Sequence, residues 1–216
     1  PANDNVCVIV GGGPSLKDTI AAIHYHVSQG ATIVALNGSA RFLNEEGIIP
    51  DIHIIIDARE ENERFLRSHS KEIYLASQCH PKLFDSAHDI TLFHMNTEGV
   101  AEYIPDNNAH LISSGTTVGL AAMAISYVLG YRVIHLHGYD SSYEDSHHAY
   151  NQPENDNDRI LEVTVNDKKF KSAAWMVKQA QQFQELSAHL IEDGVMIVVA
   201  GNGLLPTIAR CMMKTS

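Results

Sequence analysis

Small polar residues stand at the ends of several apolar runs in this sequence, and their types suit the holding of an anion. Val6–Val10 leads into Gly11-Gly12-Gly13-Pro14-Ser15. Three glycines let a backbone turn sharply and come close to a ligand with no Cβ in the way. Ser15, with Asp18 three residues later, reads as a helix start whose hydroxyl caps free N–H groups. A strand-to-helix glycine turn aims those N–H donors and the positive end of the helix dipole at one point, so Gly11, Gly12, Gly13, Pro14 and Ser15 are candidates for holding a phosphate. Leu16 occupies the place of the third glycine of the dinucleotide fingerprint, and no Gly-Lys-Ser/Thr follows, so neither that fingerprint nor a Walker loop is present.

Other polar positions repeat the pattern. Asn37 ends an apolar run before Gly38-Ser39, where its amide would either hold phosphate or ribose or make an Asx turn. Asp57 and Asp140 also follow apolar runs. Two such carboxylates could hold Mg²⁺ against phosphates, or could each cap a helix. Ser113-Ser114-Gly115-Thr116-Thr117 opens a second helix and offers a second anion site at Ser114 and Gly115, with plain N-capping as the alternative. His135 and His137 alternate along one strand, with His147-His148 further on. A zinc hydrolase built on the two strand histidines and Asp140 is one reading, core packing of His135 the other.

The elements that must place these residues follow from periodicity. Strands are expected at 6–10, 32–36, 52–56, 72–76, 90–94, 132–136 and 195–200, with a small one at 160–165. Helices are expected at 15–29, 39–46, 59–68, 118–129 and 171–193, several stopped by glycine. The helix at 118–129 is apolar or small nearly all round and so must be buried. Residues 95–110 read as a loop, and residues 141–159 as a lid or substrate loop. Alternating strands and helices predict a Rossmann-like, doubly wound, mostly parallel α/β sheet with helices on both faces, residues 1–216 forming one domain. The polar candidates all fall at carboxyl ends of strands, where such sheets bind ligands.

Composition limits the partners. The 216 residues carry a net charge of −11, which argues against sequence-independent binding to nucleic acid. The three cysteines, Cys7, Cys79 and Cys211, show no metal spacing and read as reduced thiols of a cytoplasmic protein. No apolar run is long enough to span a bilayer. The chain begins almost on its first strand, which reads as a domain from a longer protein, with flanking domains or a homo-oligomer as expected contexts.

Three segments together resemble a known family: Gly-Gly-Gly-Pro-Ser-Leu; Asn37-Gly-Ser with Pro50-Asp51 and Asp57; and Ser-Ser-Gly-Thr-Thr running on to Leu-Gly-Tyr-Arg-Val-Ile-His-Leu-His-Gly-Tyr-Asp. The pattern is similar to the MptE-like domain, which covers archaeal 6-hydroxymethyl-dihydropterin diphosphokinases and the central domain of Maf motility-associated glycosyltransferases. It also resembles single-domain bacterial sialyltransferases that use CMP-sialic acid. The resemblance runs from about Val6 to Ala200. It implies a nucleotide or nucleotide-sugar site: Gly11 to Ser15 and Asn37 beside the phosphate, Ser114 and Gly115 in the second loop, Gly138 and Asp140 near base and ribose. Tyr143, His148 and Tyr150 would match residues that steady the leaving phosphate, with His148, Tyr150 and Asp140 as catalytic candidates. The sialyltransferases carry a base histidine before the last long helix, whereas this chain has Asn166 to Ser172 there with none. The expectation is a transferase, glycosyl transfer from a CMP-activated nonulosonate first. The alternatives are a Mg²⁺-dependent diphosphokinase with Asp57 and Asp140 as metal ligands and Lys171 on the phosphates, and a nucleotide-binding module without catalysis.

Overall fold

The computed structural model describes residues 2–87, 89–97, 102, 104, 111–113, 115–143 and 159–215. Among the described residues ten strands are formed: β1 (Asn3–Val10), β2 (Thr32–Leu36), β3 (Ile52–Ile55), β4 (Glu72–Ala76), β5 (Ile90–Met95), β6 (Leu111–Ile112), β7 (Tyr131–His137), β8 (Ile160–Val165), β9 (Lys168–Ala173) and β10 (Met196–Val199). The helices among the described residues include α1 (Leu16–Ser28), α2 (Ser39–Glu45), a 3-10 helix (Glu60–Arg67), α3 (Pro81–Ser86), α4 (Val118–Val128), α5 (Ala174–Glu192) and α6 (Leu204–Thr215). Eight strands form one sheet in the order β10-β7-β1-β2-β3-β4-β5-β6, and every pairing in it is parallel. The chain works outward from β1 to β6, then crosses back through α4 to place β7 on the other side of β1. That reversal makes the β1–β7 junction the topological switch point.

The apolar strands are buried because helices cover both faces. Along β1, Cys7 and Ile9 join a core with α4, α5 and α6, while Val8 and Val10 join a second core with Leu16 and Ile23 of α1 and Leu43 of α2. Period-2 alternation sends successive side chains to opposite faces, so a strand covered twice reads as one continuous apolar run. Every residue of α4 from Gly119 to Ser126 is buried. Its alanines let the helix lie close on the sheet, and the Cys7 thiol donates to Ser126 Oγ across that contact at 3.4 Å. Burial pushes the Cys7 thiol up to about 12 and Cys79 to about 11, so both stay protonated.

Four elements go beyond the periodicity. These are α3, the two-residue β6, β9 and the closing helix α6. In addition, residues 60–67 wind as a 3-10 helix. The β8–β9 pair is antiparallel and turns at Asn166-Asp167, with φ of 47° and 62°. Two successive left-handed residues make the primed turn that two-residue hairpins need. The histidine-free segment before α5 is therefore a strand, and Ser172 at its end is fully buried, donating to Ser141 O at 2.8 Å.

Candidate functional site

At the switch point, the glycine turn after β1 lies directly on the turn after β7. Gly11 N–H donates to His137 O and Gly13 N–H to Gly138 O, both at 2.8 Å. A Cβ on Gly11 would come within 2.7 Å of Gly138 O, and one on Gly13 within 2.2 Å of an Asp140 carboxylate oxygen. Gly138 itself sits at φ 67°. These three glycines are thus demanded by the meeting of two strand tips. Gly12, between them, is half-buried, and among the described residues its N–H has no partner.

Asp140 organises the junction. It is 1% exposed, and its Oδ2 accepts from Ser15 N at 3.1 Å and Ser15 Oγ at 2.9 Å. Ser15 was expected to cap α1 with its hydroxyl; it has helical dihedrals and makes no side-chain cap. The carboxylate of Asp140 caps the helix in its place, so the positive end of the α1 dipole already faces an anion belonging to the protein. Leu16 N–H is likewise taken, by Gly13 O at 3.1 Å.

An open cavity of about 510 Å³ lies beside this junction, at the carboxyl ends of β1, β2, β3, β4 and β7. Its walls include Gly11 to Pro14, Asn37, Asp57 to Arg59, Gln78, Thr116 to Gly119, Gly138 to Ser142, and Trp175, Met176 and Gln179 of α5. Asn37 stands at φ 47°, and its side-chain oxygen is buried with no partner among the described residues. Its backbone carbonyl accepts from His53 Nε2 at 2.7 Å. His53 is fully buried, and that burial pushes it down to about 4, so the ring is neutral and its Nε2 carries the proton.

Asp57 is clasped by Arg59. Arg59 Nε lies 3.0 Å from each carboxylate oxygen, Nη2 adds a closer contact, and the Arg59 backbone N–H donates at 3.0 Å. Burial alone would raise this carboxyl, but the bonds and charge of Arg59 outweigh it and hold Asp57 below the usual carboxylate range. The guanidinium remains substantially exposed at the cavity wall.

The far wall is the N-terminus of α4. Thr117 caps it, its hydroxyl accepting from Leu120 N at 3.4 Å, and the first-turn residues Val118 and Gly119 face the cavity. Tyr139 donates from its hydroxyl to Gly119 O at 3.0 Å. A Cβ on Gly119 would meet the Tyr139 ring at 2.9 Å. Thr116 is fixed through Gln182, whose Oε1 accepts from Thr116 N at 3.2 Å and Oγ1 at 2.9 Å. This helix start, unlike that of α1, has its first turn along the cavity.

Of the residues expected from sequence, the cavity gathers Gly11, Gly12, Gly13, Pro14, Asn37, Asp57, Gly138 and Asp140. Ser15 is buried behind it, and Gly115 stands just before the α4 residues that line it. Lys171 lies exposed on β9, pairing its backbone with Tyr143, and does not reach the cavity. Ser114, His147, His148 and Tyr150 lie outside the described residues. His135 and His137 face α1, away from Asp140, and do not share a cluster with it. Arg59, Gln78, Trp175 and Gln179 escaped the sequence reading. Arg59 had a usable signal, two residues past Asp57 beyond a strand end, whereas the α5 residues are brought in only by the tertiary fold.

The fold and this cavity define a Rossmann-like α/β protein with its site at the strand carboxyl ends. The family described as 6-hydroxymethylpterin diphosphokinase MptE-like matches residues 2–146, and the chain belongs to it. A Maf glycosyltransferase from Magnetospirillum magneticum AMB-1 has a similar structure, with a TM-score of 0.73 at 18% identity over 99% of this chain. This chain spans 37% of that protein's length. The sialyltransferase CstII from Campylobacter jejuni, solved in complex with a substrate analogue, cytidine-5'-monophosphate, has a TM-score of 0.50 at 13% identity, covering 96% of this chain and 88% of its own. No curated protein matches the sequence. Among the described residues, no helix is long and apolar enough to cross a membrane.

Proposed function

We propose that this chain is the nucleotide-holding domain of a transferase of the MptE-like and Maf type. Its cavity takes a CMP-activated nonulosonate, a sialic or pseudaminic acid-like sugar, for glycosyl transfer. The carrying observation is the convergence on one cavity of about 510 Å³ of Gly12, whose N–H has no partner among the described residues, the α4 N-terminus, Arg59 and Asn37. A cavity of this size suits a nucleotide-sized ligand with a few convergent polar groups. In glycosyl transfer the bond between the anomeric carbon and the phosphate oxygen breaks, and CMP leaves with added negative charge. Gly12, the first turn of α4 and Arg59 stabilise that charge as it develops. Asn37, half-buried at the cavity wall, meets the ribose with its side-chain amide turned toward the ligand. Asp140 is a positioning residue: it holds Ser15 and thereby the glycine turn. The acceptor oxygen bonds to the anomeric carbon as its proton passes to His148, and Tyr150 steadies the leaving phosphate.

A second reading is supported by the family's description: diphosphate transfer from ATP with Mg²⁺ held by Asp57 and Asp140. The residues present do not fit that ion as they stand, since Arg59 clasps Asp57 and Ser15 occupies Asp140 Oδ2. Thermal unfolding with CMP, CDP, and ATP with and without Mg²⁺ separates the readings. A rise in Tm with CMP in the absence of metal is expected. A rise only with ATP and Mg²⁺ favours the diphosphokinase, and no rise with any nucleotide overturns both. Turnover by the wild type and Asn37→Ala then tells a catalyst from a binding module.

A further inference from the structure

On the α1 face of the sheet, away from the cavity, His26, His135 and His137 each offer a ring nitrogen, and the three lie within 4.8 Å of one another. His135 and His137 are two residues apart on β7, so they leave the same face. His26 comes from the last turn of α1. Its ring centroid is 4.4 Å from that of His135 and 6.2 Å from that of His137. His137 is 2% exposed, and its Nδ1 is buried with no partner among the described residues. Leaving a buried polar atom unsatisfied is costly, so a ligand at this place has something to relieve.

We propose that His26, His135 and His137 form a binding site for one divalent transition-metal ion, with Zn²⁺ as the reference ion. Three imidazoles suit zinc, copper or nickel, whereas Mg²⁺ and Ca²⁺ require oxygen ligands. Tetrahedral zinc with Zn–N of about 2.0–2.1 Å spaces its nitrogens roughly 3.4 Å apart, so the rings must close by up to about 1.4 Å. His26 and His135 are only half-buried and can turn to do so. Three protein ligands leave a fourth position for water. Access is from the β10 side, where Val198, paired in register with His135, is 38% exposed and Met196 is 60% exposed. The ion would fasten the end of α1 to β7 one residue before Gly138. The site involves no residue of the cavity and stands whether or not a nucleotide binds there.

Titration calorimetry of the tag-free chain with Zn²⁺ alone tests this. The wild type is expected to bind one ion per chain. His26→Ala and His135→Ala each remove a ligand and are expected to weaken binding at least as much as the loss of an outer-shell partner, on the order of 10–100-fold. His24→Ala, an exposed histidine on the same helix, is expected to bind as the wild type does. Far-UV circular dichroism confirms that each variant is folded. Wild-type binding no tighter than that of His26→Ala, or an equal loss in His24→Ala, would overturn the site.

Discussion

Single atoms decide the shape of the switch point. A methyl on Gly13 has no room beside Asp140 Oδ2 and Gly138 O, and neither partner is a free side-chain end. Gly13→Ala is expected to lose about 1–3 kcal/mol of stability in urea denaturation, the usual cost of overpacking. A variant as stable as the wild type would mean the two turns do not meet as described. Asp140→Asn removes the charge facing α1 while keeping one acceptor for Ser15. It is expected to cost about 1.5–3 kcal/mol, the range for a hydrogen bond to a charged group. His53 sets a pH dependence. Its pKa falls from 6.5 to about 4 on folding, so the unfolded chain binds the extra proton between those values. Its contribution is complete above pH 6.5 and drains away as pH falls toward 4, amounting to about 3 kcal/mol at 1.36 kcal/mol per unit. His53→Gln keeps a donor for the Asn37 carbonyl without a titrating ring, so its stability should fall less between pH 6.5 and 4. Parallel stability curves for the two proteins would refute the assignment.

The elements show what was readable in the chain and what was not. Strands β1, β2 and β7 stood out as apolar runs closed by glycine-containing turns, α4 because burial all round leaves it apolar along its length, and α1 by amphipathic spacing that stops at Gly30. The glycine turn, Asn37, Asp57 and Asp140 were legible because strand ends in such sheets are where polar residues gather. The role of Asp140 was not: only the fold shows that it caps α1 in place of Ser15. Trp175 and Gln179 were hidden for a similar reason, since nothing local distinguishes cavity-facing residues of α5 from surface ones. The β8–β9 hairpin was missed because its turn is Asn-Asp, a weaker signal than Asn-Gly. Asp167 sits at φ 62°, so Asp167→Gly relieves a left-handed non-glycine residue. It is expected to leave stability unchanged or raise it by a few tenths of a kcal/mol in thermal unfolding. A clear loss would show that the Asp167 side chain has a role of its own.

At the scale of the whole molecule, a chain of net charge −11 is proposed to hold an anion. It can do so because the donors at the cavity are local and fixed: one backbone N–H, one helix start and one guanidinium. The field of the rest of the protein opposes association, so added salt should weaken nucleotide binding less than it would for a basic protein. The central claim is most directly tested by calorimetric titration of CMP into the wild type and Arg59→Ala without added metal. One CMP per wild-type chain is expected, with affinity about tenfold or more lower in the variant, corresponding to roughly 1.4 kcal/mol or more for a lost charged contact. No binding to the wild type, or equal affinity for both proteins, would contradict it.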